Sequence, residues 1–340
     1  MTEIKSFDEF CRYVMEHIKE YMPKKYSEVQ IQPVRKANQP IRQALLIRAK
    51  KSLVCPAMYL NDWYERFQEG EAIERILSKI AEQRLSYNSF SVPQVDFDSK
   101  TIKDRITLQA IGMNVMENKQ LLDTVPHRIF GDISAVYRLD MGYIGGEQAS
   151  VLINNELARH LGYTTSELHQ IAVENTERMH PPCFESISSV MEKMGVPFSK
   201  QEIVPLYVLS NNNFQEGAAS IFYPGIFERI SGKIGRDFYV IPSSIHEVLI
   251  LDGKAKVNSI DELNELIYTI NVNQVRPEEQ LSNMAYEYDF DRKRLYIFGT
   301  SSEERDREID KEYVADQIEL GEQQKNIEKK NIGHGIRRLR

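Results

Sequence analysis

The residues of this chain that could carry out chemistry are concentrated in the segment 237–251, DFYVIPSSIHEVLIL. Two runs of strand-forming residues flank a short polar stretch there. A serine hydroxyl that is activated by an imidazole, which a carboxylate in turn orients, performs acyl transfer in hydrolases. The polar stretch supplies all three groups within five residues, namely Ser243, Ser244, His246 and Glu247.

The spacing of these groups weighs against a catalytic triad. Side chains two residues apart on a strand share a face, so Ser244 and His246 point together while Glu247 points to the opposite face. Neither serine lies in the G-x-S-x-G sequence that exposes a nucleophilic serine. The sequence therefore favours a structural turn, in which Pro242 and the serine hydroxyls satisfy backbone groups and His246 opens the next strand.

A second candidate is the sequence VPHR at 125–128, which places His127 and Arg128 at the start of a predicted strand. Such a pair could hold an anionic group, because the guanidinium offers two parallel donors. A salt bridge between the arginine and a nearby acid, such as Asp123 or Asp132, is the favoured interpretation, since surface pairs of this kind are common. Arg138 and Asp140 are interpreted in the same way.

Metal and cofactor sites are not indicated by the sequence, which contains no H-E-x-x-H motif. His180 and Cys183 lie three residues apart across two prolines, but the further ligands that a closed zinc site needs are not evident. The glycines Gly142, Gly145 and Gly146 fall between two predicted strands, and neither GxGxxG nor a P-loop occurs. We therefore predict no metal, no cofactor and no nucleotide site.

Composition narrows the class of protein. Of 340 residues, 41% are hydrophobic and 27% are charged, and the longest apolar runs fall short of the ~20 residues that span a bilayer. The net charge of −7 argues against a protein that coats nucleic acid. Three widely spaced cysteines indicate a reducing compartment. These features predict a soluble cytoplasmic protein without a membrane partner.

The apolar periodicity predicts a first lobe in residues 1–90. A capping box at Ser6 opens a helix that ends before Pro23. Two strands at 28–34 and 43–48 form a hairpin, and helices follow at 60–67 and 71–84. The segment 86–100 is rich in Ser, Asn, Pro and Asp, so we place a lobe boundary there.

The second predicted lobe spans residues 101–300 and alternates hairpins with helices. Strands are predicted at 105–115, 133–139, 149–153, 206–209 and 217–222, in the two flanks of the polar stretch, and at 286–288 and 295–298. Helices are predicted around 121–122 and at 156–160, 166–179, 226–234 and 260–270. Because strands outnumber the helices that parallel crossovers would need, we predict an α+β fold with mostly antiparallel sheets flanked by helices.

Residues 301–340 are dense in both signs of charge and poor in apolar residues. A charged helix or a disordered tail is predicted, with a helix that binds a protein partner as the alternative. The chain ends in a short basic run, which offers weak contact with nucleic acid through Lys329, Lys330, Arg337, Arg338 and Arg340.

Five strings of this sequence resemble a bacterial family. They are YLNDWYERFQEG at 59–70, VPHRIFGDISAVYRL at 125–139, NNELARHLGYTTSELHQIAVENT at 154–176, FYVIPSSIHEVLIL at 238–251 and VRPEEQLSNMAYEYD at 275–289. The resemblance is to a domain of unknown function from clostridial-type Firmicutes, and it covers about residues 1–300. It implies a bacterial cytoplasm and assigns no reaction, substrate or catalytic residue.

The leading functional hypothesis is a binding or regulatory protein without catalytic machinery, with an association to mobile elements as an option. The alternative is a hydrolase whose site assembles from Ser243 or Ser244, His246, His127 and Arg128. A convergence of these side chains in one walled pocket would favour the hydrolase.

Overall fold

The computed structural model describes residues 4–36, 39–49, 55–87, 101–113, 116–144, 147–193, 195, 205–254 and 259–305. The predicted tail from residue 306 onward, with its basic end, and most of the predicted boundary at 86–100 lie outside these ranges. The division into lobes at 1–90 and 101–300 stays a prediction. Within the described ranges, no helix combines the length and apolarity needed to cross a bilayer.

The fold is α+β, and every strand pairing in the described residues is antiparallel, which confirms the predicted class. The α-helices are α1 Phe7–His17, α2 Leu60–Gln68, α3 Ile73–Ser86, α4 Met116–Leu122, α5 Asn155–Leu161, α6 Thr165–Met179, α7 Ile187–Lys193, α8 Ile226–Ile234 and α9 Ile260–Gln274. Shorter 3-10 helices occupy Ile18–Tyr21, Ile102–Arg105, Gly217–Phe222 and Pro277–Glu279.

The strands form three sheets. The first has the order β1 Glu28–Val34, β2 Arg42–Arg48 and β3 Met58–Tyr59. The second contains β4 Ile106–Gly112, β5 His127–Phe130, β6 Ile133–Ile144 and β7 Glu147–Leu152. The third has the spatial order β13 Arg294–Ile297, β12 Tyr286–Asp289, β10 Phe238–Ile241, β11 Val248–Asp252, β9 Leu206–Asn211 and β8 Pro182–Ser186.

The first helix and the β1–β2 hairpin form as the sequence predicts, whereas the third strand of this sheet, β3, was not predicted. The hydroxyl of Ser6 accepts a hydrogen bond from the Glu9 N–H at 3.2 Å, which caps α1. The apolar face of α1 and of the 3-10 helix that follows it is fully buried at Phe10, Val14 and Ile18. This face packs with α2, α3 and the β1–β2 hairpin in one apolar cluster, which is why the helix stripe and the strand pattern agree.

The second sheet is organised around the long strand β6. Strand β4 pairs with one side of β6, while β5 and β7 share the other side end to end. Helix α6 protects the outer edge of β4, since the Leu108 N–H donates to Thr176 Oγ1 at 2.8 Å and Asn175 Nδ2 donates to the Ile106 carbonyl at 2.9 Å. These side-chain bonds satisfy backbone groups that a neighbouring strand would otherwise pair.

A partly buried carboxylate joins the second and third sheets. Asp132, in the β5–β6 turn, accepts hydrogen bonds from Tyr286 Oη at 2.5 Å and from Ser282 Oγ at 2.8 Å. Burial raises the pKa of the Asp132 carboxyl above its usual range. The neighbouring Gly131 has φ +58°, and a Cβ there would lie 2.3 Å from Tyr286 Oη. Glycine therefore allows the hairpin to dock directly on β12.

One predicted strand is wrong. Residues 217–222 form a 3-10 helix, because their backbone is used against the β10–β11 turn and not in a sheet ladder. The N–H groups of Gly217 and Ala218 donate to the carbonyls of His246 and Ile245, both at 3.1 Å. Short buried apolar runs do not distinguish a strand from a helical turn, and GAASIF is such a run.

The sequence also missed β8 and α7, which follow the double proline at 181–182. Strand β8 begins at Pro182, opposite Asn211 of β9. Proline is tolerated here because β8 is the edge strand of its sheet, where the missing N–H faces no partner strand.

The tight packing at Gly217 predicts a large effect of a single methyl group. A Cβ at this position would lie 2.1 Å from Ser210 Oγ and 2.6 Å from the His246 carbonyl oxygen. We expect Gly217→Ala to lower the free energy of unfolding by about 2–3 kcal/mol through overpacking, measured by urea denaturation. Gly232→Ala is the matched control, because α8 leaves open space at Gly232. This control should gain about 0.5–1 kcal/mol, and equal effects at both sites would contradict the packing argument.

The packing of His169 predicts a loss of stability in acid. Burial beneath Tyr137 and Phe222, with a smaller effect of Arg128, lowers the pKa of His169 from 6.5 to about 4. Between these values the unfolded chain binds a proton that the folded chain does not, so stability present above pH 6.5 is lost as the pH falls toward 4. Between pH 7 and pH 4, the free energy of unfolding of His169→Gln should therefore fall by about 1–2 kcal/mol less than that of the wild type. This figure allows for the partial exposure of His169.

The measurement is the free energy of unfolding from urea titrations at pH 7, 6, 5 and 4. His160→Gln serves as the control, since His160 lies exposed on α5. The hypothesis requires that only the variant at His169 flatten the pH dependence.

Candidate functional site

The polar stretch 242–247 forms the turn between β10 and β11. A second segment braces it, because the Ile245 N–H donates to the Glu279 carbonyl at 2.8 Å and the Leu281 N–H donates to the Ser243 carbonyl at 3.0 Å. Strand β11 begins only at Val248. The prediction that His246 opens this strand is therefore wrong, and strand alternation does not set the directions of these side chains.

Both ring nitrogens of His246 are engaged by the protein. The Glu216 N–H lies 3.2 Å from Nδ1, and because a backbone N–H can only donate, Nδ1 accepts. The ring proton is then on Nε2, which contacts Glu279 Oε1 at 3.2 Å. Arg276 pairs with the same carboxylate and lowers the pKa of Glu279. The carboxylate that orients the imidazole is thus Glu279 and not Glu247.

The serines and Glu247 form a separate network within the turn. Ser244 Oγ accepts from the His246 N–H at 3.0 Å, within the turn. Burial raises the pKa of Glu247. Ser243 and Ser244 are each only 4% exposed. The structure therefore brings these four residues together as a turn, but it does not place a serine hydroxyl on the imidazole.

His127 and Arg128 lie on β5, and neither lines the cavity beside His246. His127 Nδ1 donates to the Val125 carbonyl at 3.0 Å, and Arg128 Nη2 donates to Ser166 Oγ at 3.3 Å. Asp132, one of the acids expected near Arg128, bonds Tyr286 and Ser282. The pair at 127–128 thus contacts its own sheet and α6.

A cavity of about 390 Å³ opens beside the imidazole, and we call it the polar cleft. Its walls come from β4, β6 and β7, the end of α6, the loop after β9, and the segment 276–279. The residues that line it are Thr107, Leu108, Arg138, Asp140, Ser150, Thr176, His180, Asn211, Asn213, Gln215, Glu216, His246, Arg276 and Glu279.

The charged groups on the wall formed by the second sheet are held in place. Arg138 Nε donates to Ser150 Oγ at 2.8 Å, and its Nη1 donates to Gln109 Oε1 at 3.0 Å. Gln109 Nε2 donates to Glu216 Oε1 at 2.9 Å, and Arg138 Nη1 lies 3.9 Å from the same oxygen. The expected local partner, Asp140, instead accepts from the Gly142 N–H at 2.8 Å. Glu216 therefore connects the sheet to His246.

The loop 211–216 adopts backbone conformations that side chains disfavour. Among the described residues other than glycine, only Phe214, Glu216 and Lys293 have positive φ, and two of these three lie in this loop, at +55° and +51°. Asn211 supports the loop through Nδ2, which donates to the Gln215 carbonyl at 2.7 Å. Strain of this kind costs about 1–3 kcal/mol per residue and is concentrated at functional sites.

The sequence did not point to Glu216 or Glu279 as site residues. Glu216 falls in the polar run SNNNFQE, which predicts only a linker, and Glu279 follows Pro277 in a similar run. The left-handed conformation of Glu216 has no sequence signal, since left-handed residues other than glycine are most often Asn or Asp. Only contacts across 30 and 33 residues of chain reveal their association with His246.

The polar cleft offers fixed donors and acceptors. Within the described residues no group of three His, Cys, Asp or Glu side chains could hold a metal ion. The hydroxyls that line the cleft already donate to carbonyls or accept from Arg138; Thr176 Oγ1, for example, donates to the Ala172 carbonyl at 2.6 Å. A nucleophile needs a base within hydrogen-bond reach, and both nitrogens of His246 are occupied. The arrangement suits recognition of a polar molecule.

Comparison with known proteins gives one result. No curated protein and no solved structure matches the chain. A model of a family described as a family of unknown function, DUF5688, matches residues 7–290. This match includes the polar cleft and all three sheets up to β12. The chain therefore belongs to the DUF5688 family of unknown function.

Proposed function

We propose that this protein binds a small polar ligand in the polar cleft and performs no covalent chemistry there. The observation that carries the proposal is the fixation of His246 between the Glu216 N–H and the Glu279 carboxylate. Fixed donors and acceptors favour binding, because little entropy is lost when a ligand arrives. His246 presents no free ring nitrogen to the cleft, and proton transfer by this imidazole would need one.

The charges in the cleft restrict the ligand. Two cations, Arg138 and Arg276, face three carboxylates, Asp140, Glu216 and Glu279. Each arginine lies near a glutamate of the cleft, so neither is an uncompensated anion site. A polyanion such as a nucleotide would meet the remaining carboxylate, and like charges disfavour binding. The ligand is therefore uncharged or carries an amine.

Side chains that can reorient toward a ligand lie at the rim. Asn213 and Gln215 are exposed and carry amides, each with two donors and one carbonyl acceptor. His180 adds an imidazole at the end of α6. These groups can donate and accept hydrogen bonds, which supports a ligand with several hydroxyl, amide or amine groups.

Hydrolysis is the second candidate, and the contact of His246 with Glu279 is the observation that favours it. It would require Glu216 to move so that Nδ1 is released, and a nucleophile from Ser243 or Ser244 to approach the ring. The support for His127 and Arg128 as further members is weaker, because they lie outside the cleft.

The biological setting is proposed from weaker observations. The cysteines Cys11, Cys55 and Cys183 are free, which supports a reducing bacterial cytoplasm. A Firmicutes origin, a regulatory role and a protein partner of residues 301–340 are predictions from the sequence. The same holds for weak nucleic-acid contact through the basic end, which lies outside the described residues.

A ligand panel tests the binding function. Thermal unfolding of the full chain is followed with amino-acid amides, polyols and polyamines on one side, and with phosphate, dicarboxylates and nucleotides on the other. We expect stabilisation only by the first group, reaching about 2.7 kcal/mol at a ligand concentration 100 times Kd. Stabilisation by the anionic group alone would refute the proposal.

Glu216→Gln tests where the ligand binds. The glutamine retains an acceptor for Gln109 but removes one carboxylate, so affinity for an amine-bearing ligand should fall at least tenfold in calorimetric titration. Glu65→Gln on the exposed side of α2 is the matched control and should leave Kd unchanged. If both variants bind equally well, the ligand lies outside the polar cleft.

An ester substrate distinguishes hydrolysis from binding. We expect the wild-type chain, Ser243→Ala, Ser244→Ala and His246→Gln to hydrolyse p-nitrophenyl acetate at the same background rate, because no serine contacts the imidazole. Release of nitrophenolate is measured at 400 nm and compared with the heat-denatured chain. A burst that disappears in one serine variant would establish the hydrolase instead.

A further inference from the structure

A second cavity of about 790 Å³ lies away from the polar cleft, between the second and third sheets. We call it the edge groove. Strand β5 contributes Ile129 and Phe130 to one wall, and β13 contributes Leu295 and Ile297 to the other. Phe227 and Tyr286 lie at its floor. Its lining is largely apolar and aromatic, and Ile129 remains 57% exposed at the rim.

Both walls of the edge groove are edge strands. In the described residues, β13 ends the third sheet, and β5 pairs only with β6. Phe130 and Ile133 flank the two-residue turn, so they form its hydrogen-bonded closing pair. Antiparallel ladders alternate, and the N–H and C=O of Ile129 therefore point away from β6. Such groups are a template for an added strand.

The charge of the edge groove has one sign. Lys293 and Arg294 are the charged residues among the described residues that line it, and no carboxylate lines it. An added strand places alternate side chains on opposite faces, so apolar residues can face Phe227 and Tyr286 while the residues between them face the cations. Acidic residues at these intervening positions complement Lys293 and Arg294.

A second copy of this chain is a poorer occupant. Pairing of a second copy through its β13 would bring the Lys293 and Arg294 of that copy to a groove that already contains the same two cations. Like charges on paired strands are destabilising. The charge of the edge groove therefore favours an acidic strand of another protein over a second copy of this chain.

We propose that the edge groove binds an extended segment of a partner protein, in which apolar residues alternate with glutamate or aspartate. The segment adds to β5 by backbone hydrogen bonds, and its apolar side chains enter the groove. This interaction is separate from ligand binding in the polar cleft, and it holds or fails independently of that function.

The probe is a fluorescein-labelled peptide of the sequence Glu-Val-Glu-Ile-Glu-Val-Glu, titrated with the full chain in a fluorescence anisotropy assay. A matched peptide has lysine in place of each glutamate. We expect the acidic peptide to bind at least tenfold more tightly, and its affinity to fall as NaCl rises from 50 to 500 mM. Equal affinity of both peptides, or no binding of either, overturns the proposal.

Two variants with controls locate the contact. Ile129→Pro removes the N–H that points away from β6, on an edge strand where proline is tolerated, and should weaken binding at least tenfold. Ile129→Val keeps that N–H and should stay within twofold. Lys293→Glu should weaken binding at least tenfold, whereas Lys119→Glu, on the exposed side of α4, should not.

Light scattering across a concentration series tests whether a second copy of the chain occupies the edge groove instead of a partner. The chain should have the same mass from 1 to 200 μM. A dimer that Ile129→Pro dissociates would mean that a second copy fills the edge groove, and this result would overturn the assignment to a partner. Circular dichroism and thermal unfolding confirm that each variant is folded before binding is compared.

Discussion

The close contact between Gly217 and the β10–β11 turn is the constraint on which the polar cleft depends. The His246 carbonyl accepts hydrogen bonds from the Gly217 N–H at 3.1 Å and from Ser210 Oγ at 2.7 Å. No side chain fits between these backbones. Because the 3-10 helix is pressed against the turn, Glu216 at its start is carried to the imidazole. The left-handed conformation of Glu216 is the cost of this placement.

Glu216 also contacts the second sheet and so fixes the position of His246 relative to it. Its N–H holds the ring of His246, and its carboxylate lies between Gln109 and Arg138. One residue thus connects a turn of the third sheet to two strands of the second. The polar groups that bound the cleft are consequently fixed by one another, and a satisfied network of this kind is rigid in a low-dielectric setting.

A second connection between the same sheets lies at Asp132. Its carboxylate receives hydroxyl groups from Tyr286 and Ser282, and glycine at the preceding position removes the side chain that would block the approach. The polar cleft and the edge groove both lie where parts of the second and third sheets come together. The polar cleft is charged because Arg138 and Asp140 of the second sheet meet Glu216 and the segment 276–279 there. The edge groove is lined mainly by apolar and aromatic residues, together with Lys293 and Arg294.

Local pattern was sufficient for much of the fold. Helical spacing and a capping serine identified α1, and alternating residues with turn signals identified the β1–β2 and β12–β13 hairpins. The structure caps α6 with a capping box formed by Thr164 and Glu167, which are three residues apart in the sequence. These elements depend on contacts between near neighbours, which is the information that a sequence pattern contains. Residues 217–222 were predicted as a strand but form a 3-10 helix, because their backbone bonds the β10–β11 turn, which is distant in sequence.

At the candidate site too, local sequence predicted some features, and contacts between distant segments set the others. The sequence predicted a turn at Pro242, Ser243 and Ser244 between two strands, but it placed His246 on the next strand, which begins only at Val248. It also predicted that Glu247 does not orient the imidazole, although the strand alternation used for that prediction does not apply in the turn. The groups that do orient the imidazole could be identified only from the folded chain, since Glu216 and Glu279 reach His246 from segments about 30 residues away on either side. Strand alternation governs side chains on one segment, whereas the partners of the half-buried imidazole of His246 are set by how separate segments pack.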